Sequence, residues 1–215
     1  MATDPVNPEP VHIALFAKAP VAGQAKTRLI PALGATGAAR LHRQLVRQAV
    51  RIACAAGLGP VSLWCAPGIG HRFFRALATT AGLPLQAQQG DDLGARMAHA
   101  FATLTPHGPV LLIGSDCPML TPALLHDCAA ALRHGDDAVF LPAEDGGYAL
   151  VGLRQPQPAL FGAIPWGSDT VMAHTRARLN GHGLRWSEPA TVWDVDRPDD
   201  LPRLSALELA LRCTL

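Results

Sequence analysis

At 215 residues, 49% hydrophobic and 16% charged, the chain can fill a sizeable core and is not a disordered acidic or basic tail. Its net charge of +1 gives no electrostatic reason to expect nucleic acid or an anionic membrane as partner. The five cysteines (54, 65, 117, 128 and 213) form no Cys-x-x-Cys pair, which argues against a disulfide framework or a zinc knuckle and for a reducing, cytoplasmic setting.

Residues 1–10 hold three prolines, two acids and no apolar core, so they read as a frayed leader and not as a secretion signal. No later apolar run approaches the length of a membrane span. Val11 to Ala17 predicts the first strand, and a long loop, 18–29, follows it. Thr36 to Ala56 predicts a helix, with Leu41, Leu45, Ala49, Ile52 and Ala56 at helical spacing and Gly57 past its end. Val61 to Ala66 and Leu85 to Gln88 read as short strands, and His71 to Ala81 and Gly94 to Leu104 as helices. Val110 to Ile113 is an uninterrupted apolar run, as suits a central strand buried on both faces.

Thr121-Pro122 then predicts a helix start with a hydroxyl cap and proline in the first turn, and Gly135 its end. Ala138 to Pro142 and Gly147 to Leu153 read as strands joined by a turn too short for a helical crossover, which predicts a mixed sheet. Ser168 to Asn180 predicts a helix capped by Ser168 or Asp169, Ala190 to Val195 a last strand, and a C-terminal helix follows to about Leu211. Strands alternating with amphipathic helices give an α/β fold, a three-layer α/β/α arrangement on a mostly parallel mixed sheet. With no linker in the middle, residues 11–215 read as one domain.

The chemistry-bearing residues cluster where strands end. The first strand closes on Ala17, and the loop beyond it supplies Lys18, Gly23, Lys26, Thr27 and Arg28, a flexible backbone with three cations suited to phosphate oxygens. It is not a Walker A loop, because Ala25 and Pro20 stand where that motif needs glycine. Asp116 follows the central strand through Gly114-Ser115, a place from which a carboxylate can hold a metal against a ligand's phosphates or cap the next helix. Gly90, Asp92, Gly94 and Arg96 read as a ligand-contacting helix entry, or as an acidic cap with a solvated arginine.

Glu144, Asp145, Gly146, Gly147 and Tyr148 form a tight hairpin turn whose two adjacent acids and single tyrosine also suit the wall of an acceptor pocket. Trp166, Ser168 and Thr170 bring an indole and two hydroxyls to a helix start, the indole serving as stacking platform or core plug. Asp194 and Asp196 alternate, so a strand would turn both to one side; with Asp116 they could form an oxygen-rich Mg²⁺ site. The nine histidines show no ligand spacing and read as surface or cap residues, and Cys117 has no adjacent histidine to activate it.

Read together, Phe16 to Leu29, Gly90 to Met97, Ile113 to Pro118, Asp145 to Gly152, Pro165 to Val171 and Asp194 to Leu201 resemble, in order, uncharacterised bacterial transferases of the GT-A, nucleotide-diphospho-sugar transferase-like fold. Their wider relatives are the phospholactate and molybdenum-cofactor guanylyltransferases and sugar nucleotidyltransferases. The resemblance implies a nucleotide over the first strand ends, the basic loop on its phosphates, and Mg²⁺ or Mn²⁺ on Asp116 with help from Asp194 and Asp196. Neither the sugar transferases' Asp-x-Asp nor the guanylyltransferases' fuller glycine-rich first loop stands at its usual place.

The expected activity is metal-dependent transfer from a nucleotide, favoured as nucleotidyl transfer from an NTP to a small phosphate or carboxylate acceptor, with Lys26, Arg28 and Asp116 carrying it. A triphosphate demands the neutralisation that the cationic loop offers. The alternatives are a glycosyltransferase using a nucleotide sugar and a nucleotide-binding regulator without catalysis. No nucleic-acid partner and no membrane insertion are expected.

Overall fold

Seven strands and six α-helices are laid out along residues 8–213, the part of the chain that the computed structural model describes. In order they are β1 (His12–Lys18), α1 (Ile30–Ala56), β2 (Val61–Ala66), α2 (Arg72–Ala81), β3 (Leu85–Ala87), α3 (Leu93–Leu104), β4 (Val110–Ile113), α4 (Pro122–Arg133), β5 (Ala138–Pro142), β6 (Tyr148–Leu153), α5 (Val171–Gly181), β7 (Trp186–Ser187) and α6 (Asp200–Cys213). The strands form one sheet in the order β3-β2-β1-β4-β6-β5-β7. Only β6 runs against the rest, pairing antiparallel with β4 and β5, because the 144–147 turn leaves no room for a crossover.

Strand alternation sets the layers. Ile13, Leu15, Leu63, Leu111 and Ile113 face one way and meet Val46 and Ala49 of α1, Phe74 of α2, and Leu125 and Cys128 of α4. Ala14, Phe16, Trp64 and Leu112 face the other way, onto Met97 and Phe101 of α3 and Met172 and Leu179 of α5. The three-layer α/β/α architecture with a mostly parallel mixed sheet is therefore the one the sequence predicts. A third cluster, Leu29, Ala38, Leu45, Trp193, Val195 and Leu204, ties α6 and the 193–195 segment to the start of α1.

Several boundaries differ from the sequence reading. α1 begins at Ile30, before Thr36, and bends at Gly34, whose φ of 68° breaks the helical run. α5 begins at Val171, its N-cap position being Thr170 without a side-chain cap bond, so neither Ser168 nor Asp169 caps it. Trp186–Ser187 is a short edge strand that the sequence reading did not contain. The largest correction concerns Ala190 to Val195, which is not a strand: it makes one isolated bridge, Val192 to Ala143. Val192 meets the outer edge of β5 beyond β7, at Ala143 past the strand's end, and the chain then turns across to Asp116. Of the leader, residues 1–7 lie outside the described residues, and the Glu9 carbonyl accepts two hydrogen bonds from Arg133 of α4, at 2.9 and 2.7 Å.

Candidate functional site

The crossing segment assembles the site. Val192 N–H donates to the Pro142 carbonyl at 2.9 Å, and Val195 N–H donates to the Asp116 carbonyl at 3.0 Å. Those bonds carry Asp194 and Asp196 past the carboxyl ends of β5 and β4, beside Asp116, where ligands bind in open α/β sheets. Asp194 and Asp196 thus flank a residue tied to Asp116's own backbone, without the strand that the sequence reading assumed.

From the other side comes the loop after β1. Ala17 is buried at the strand's end, Gly23 takes a left-handed φ of 81° in open space, and Lys26 is held at φ 50°. A non-glycine residue in that region is strained, and here the strain points the Lys26 side chain inward, leaving it 4% exposed. Its Nζ lies 2.8 Å from Asp116 Oδ2 and 3.9 Å from Asp196 Oδ1. The Arg28 guanidinium donates to the second oxygen of Asp196.

Two adjoining cavities share Arg28 and Asp196. One, of about 310 Å³, is lined by Lys18, Gln24, Lys26, Thr27, His42 and Asp116. The other, of about 270 Å³, is lined by Glu144, Asp145, Ser168, Asp169, Trp193, Asp194 and Asp200. A cationic chamber thus opens into a carboxylate-lined one. A larger hollow of about 730 Å³ lies between α1 and α2, lined by Arg47, Arg51, Phe73 and Leu77, and holds none of these residues.

The half-buried carboxylates of Asp116 and Asp194 are tuned in opposite directions. Burial alone would raise the pKa of Asp116, but the Lys26 ammonium and the His42 imidazole outweigh it and hold the carboxyl well below the usual range. Asp194 is pushed up to about 7, first by burial and then by the nearby charges of Asp116 and Asp145, with Lys26 only partly opposing them. One oxygen of Asp194, Oδ1, is buried with no hydrogen-bond partner. A buried carboxylate oxygen without a hydrogen-bond partner has lone pairs to offer a cation, so the donor set fits a divalent ion. Among the described residues no three His, Cys, Asp or Glu side chains stand ready as a metal cluster, since Lys26 holds the space between Asp116 and Asp196.

The other expected residues divide. Asp92 caps α3 by accepting from Ala95 N–H at 2.7 Å, and Arg96 donates to the Gly90 carbonyl at 3.0 Å, so both are engaged in shaping this loop. Gly90 and Gly94 are required by close packing: a Cβ on Gly94 would stand 2.4 Å from the Phe161 carbonyl and 2.7 Å from the Trp166 indole nitrogen. Asp145 accepts from Gly147 N–H at 2.9 Å, and Ser168 and Thr170 bond each other at 2.8 Å beside the acidic chamber. Tyr148 and Trp166 meet edge to face at 6.4 Å, lining an apolar slot of about 150 Å³ with Phe16, Leu93 and Met97. Burial drives the Cys117 thiol up to about 12, which leaves it unreactive as a nucleophile.

One residue escaped the sequence reading. His42 is 4% exposed, its Nε2–H donates to the Lys18 carbonyl at 2.8 Å, and its Nδ1 lies 3.6 Å from Asp116 Oδ1. The available signal was its place on the inward stripe of α1, four residues after Ala38 and three before Leu45.

Residues 41–168 match the model of a family described as uncharacterized protein conserved in bacteria (DUF2064). The phosphoenolpyruvate guanylyltransferase of Rubrobacter xylanophilus is 33% identical over 193 residues, which span 85% of this chain and 88% of that protein. Among solved structures, a Desulfovibrio desulfuricans G20 protein assigned to the nucleotide-diphospho-sugar transferases superposes with a TM-score of 0.79 at 30% identity, covering 87% of this chain and 82% of that one. The inositol-1-phosphate CTP transferase of T. maritima shares the fold at a TM-score of 0.59 and 12% identity, over 89% of this chain and 91% of its own. On the family match and the 33% relative, the chain belongs to the DUF2064 family.

Proposed function

We propose that the protein is a nucleotidyltransferase that joins an NTP to a small phosphate- or carboxylate-bearing acceptor and releases pyrophosphate. The observation that carries this reading is the cationic chamber of Lys18, Lys26 and Arg28 opening directly onto Asp116, Asp194 and Asp196. The resemblance to a phosphoenolpyruvate guanylyltransferase supports GTP as the first donor to try and a phosphorylated carboxylic acid as the first acceptor.

In this reading the triphosphate enters the cationic chamber and the acceptor enters from the side of Asp145, Ser168 and Thr170. An acceptor oxygen attacks the α-phosphorus, the bond to the bridging oxygen breaks, and pyrophosphate leaves. Lys26 and Arg28 turn from their carboxylates to the phosphates and stabilise the charge that grows on the leaving group. Asp116 and Asp194 are the residues that would hold a divalent ion, together with the phosphates. Bound there, the ion would supply charge neutralisation on the phosphates. No protein nucleophile is needed.

Glycosyl transfer is the second reading, supported by the similarity to the Desulfovibrio protein. One assay separates the two: the protein with Mg²⁺ or Mn²⁺, a panel of NTPs and nucleotide sugars, and phosphorylated acids as acceptors. Pyrophosphate formed together with a nucleotide–acceptor conjugate is the expected result. Nucleoside diphosphate released from a nucleotide sugar, with no pyrophosphate from any NTP, overturns it.

A further inference from the structure

Arginines recur on α1 at Arg40, Arg43, Arg47 and Arg51, a spacing of three or four that lines them up along one side of the helix. Arg72 and Arg75 stand on the neighbouring α2. Five of the six are exposed, and Arg43 is half-buried. Neither helix carries an acid. The arginines in ion pairs among the described residues are Arg28, Arg176, Arg185 and Arg203, and none of these six. Like charges four apart on a helix repel, so the row does not serve the helix itself.

Between the two helices runs the hollow of about 730 Å³, an open trough. Val50, Phe73 and Leu77 give it an apolar floor, and Arg47 and Arg51 stand on its rim. Arg43 and Arg47 lie over the Phe73 ring, 5.7 and 5.8 Å from its centroid, which holds both guanidiniums in place before any ligand arrives. Arg43 Nε is buried without a hydrogen-bond partner. Along α1 the lining runs from Gln44 to Cys54, about 15 Å at 1.5 Å per residue, or almost three helical turns.

We propose that this trough docks an acidic amphipathic helix of a partner protein, with apolar side chains at i, i+4 and i+7 on the floor and carboxylates facing the arginines. The fork of a guanidinium matches a carboxylate with two parallel hydrogen bonds, and an apolar floor between charged walls takes the apolar face of a helix. A nucleic acid would use the arginines and leave the floor idle. A second copy of this chain lacks the pattern: among the described residues the helix richest in acid is α6, with only Asp200 and Glu208. The trough holds none of the transfer residues, so docking there is independent of the reaction.

The test titrates the full-length protein with a synthetic peptide of about fourteen residues, leucines at i, i+4 and i+7 and glutamates on both flanks. Its lysine-for-glutamate counterpart and a single-stranded oligonucleotide are run beside it, by calorimetry and methyl NMR. The acidic peptide should bind at least about tenfold more tightly than the basic one, shift the methyl signals of Val50 and Leu77, and weaken as salt rises. The double variant Arg47→Glu/Arg51→Glu, at two exposed positions, should lose at least about tenfold in affinity. Should that variant fail to fold, the wild-type methyl shifts and the comparison of the two peptides decide. Equal binding of both peptides, methyl shifts away from the trough, or no binding at about 1 mM peptide overturns the proposal. So does tighter binding of the oligonucleotide, or a concentration-dependent dimer that the double variant breaks.

Discussion

Asp194 brings a carboxylate to a place that penalises it. Its folded pKa of about 7 lies above the ordinary 3.8, so the folded chain keeps a proton that the unfolded chain gives up as pH rises between those values. Metal-free stability should therefore fall as pH climbs from about 4 to 7, and Asp194→Asn should flatten that slope. Urea melts at several pH values check both. Cation binding should strengthen over the same window, because the ligand must first lose its proton. Asp194→Asn should consequently be at least as stable as the wild type without metal at pH 8, yet bind Mn²⁺ poorly by calorimetry. Lys26→Ala should lower pyrophosphate release by about 10²-fold or more, the scale of losing a donor to developing negative charge. Lys26 and Asp116 were legible in the sequence because a carboxylate and a cationic loop each follow a strand. His42 was not, since a histidine on an apolar stripe gains meaning only when the fold turns it toward Lys18 and Asp116.

Among the elements, the hairpin between β5 and β6 is fixed by contact as well as by turn chemistry. Gly146 has φ +89°, and a Cβ there would fall 1.9 Å from the Asp169 carbonyl, while Met172 N–H donates to the Gly146 carbonyl at 2.8 Å. Gly146→Ala should cost about 2–4 kcal/mol, from overpacking plus a left-handed backbone, in equilibrium unfolding. Gly23→Ala, with φ +81° but nothing within 4 Å, should cost only about 1 kcal/mol. The turn's glycines were readable from Asp-Gly and Gly-Gly, but their contact with the start of α5 was not. The helix at Thr121 shows local chemistry read correctly: its hydroxyl accepts from Leu124 N–H at 3.2 Å and Pro122 follows. The segment 190–195 shows the opposite. Its alternating, β-branched pattern reads as a strand, but it touches β5 only at Ala143, past that strand's end, before turning to Asp116, and no local signal carries that information.

At the scale of the molecule, charge follows the halves of the sheet. Residues 10–90, which build β1 to β3 with α1 and α2, carry half of the 18 Lys and Arg and none of the 17 Asp and Glu. The acids stand in the remainder, and a net charge of +1 conceals the division. The candidate site lies on the seam, where β1 pairs with β4 and Lys26 and Arg28 reach across to Asp116 and Asp196. Such a seam suits a ligand that is itself an anion with a bound cation: the basic half takes phosphate oxygens, the acidic half takes the ion. The most direct measurement of this account is calorimetric titration of GTP into wild type and Asp194→Asn, each with and without Mn²⁺. The account predicts wild-type binding that Mn²⁺ strengthens at least about tenfold and an Asp194→Asn protein in which that gain is lost. Nucleotide binding of equal strength with and without the metal, unchanged in Asp194→Asn, would contradict it.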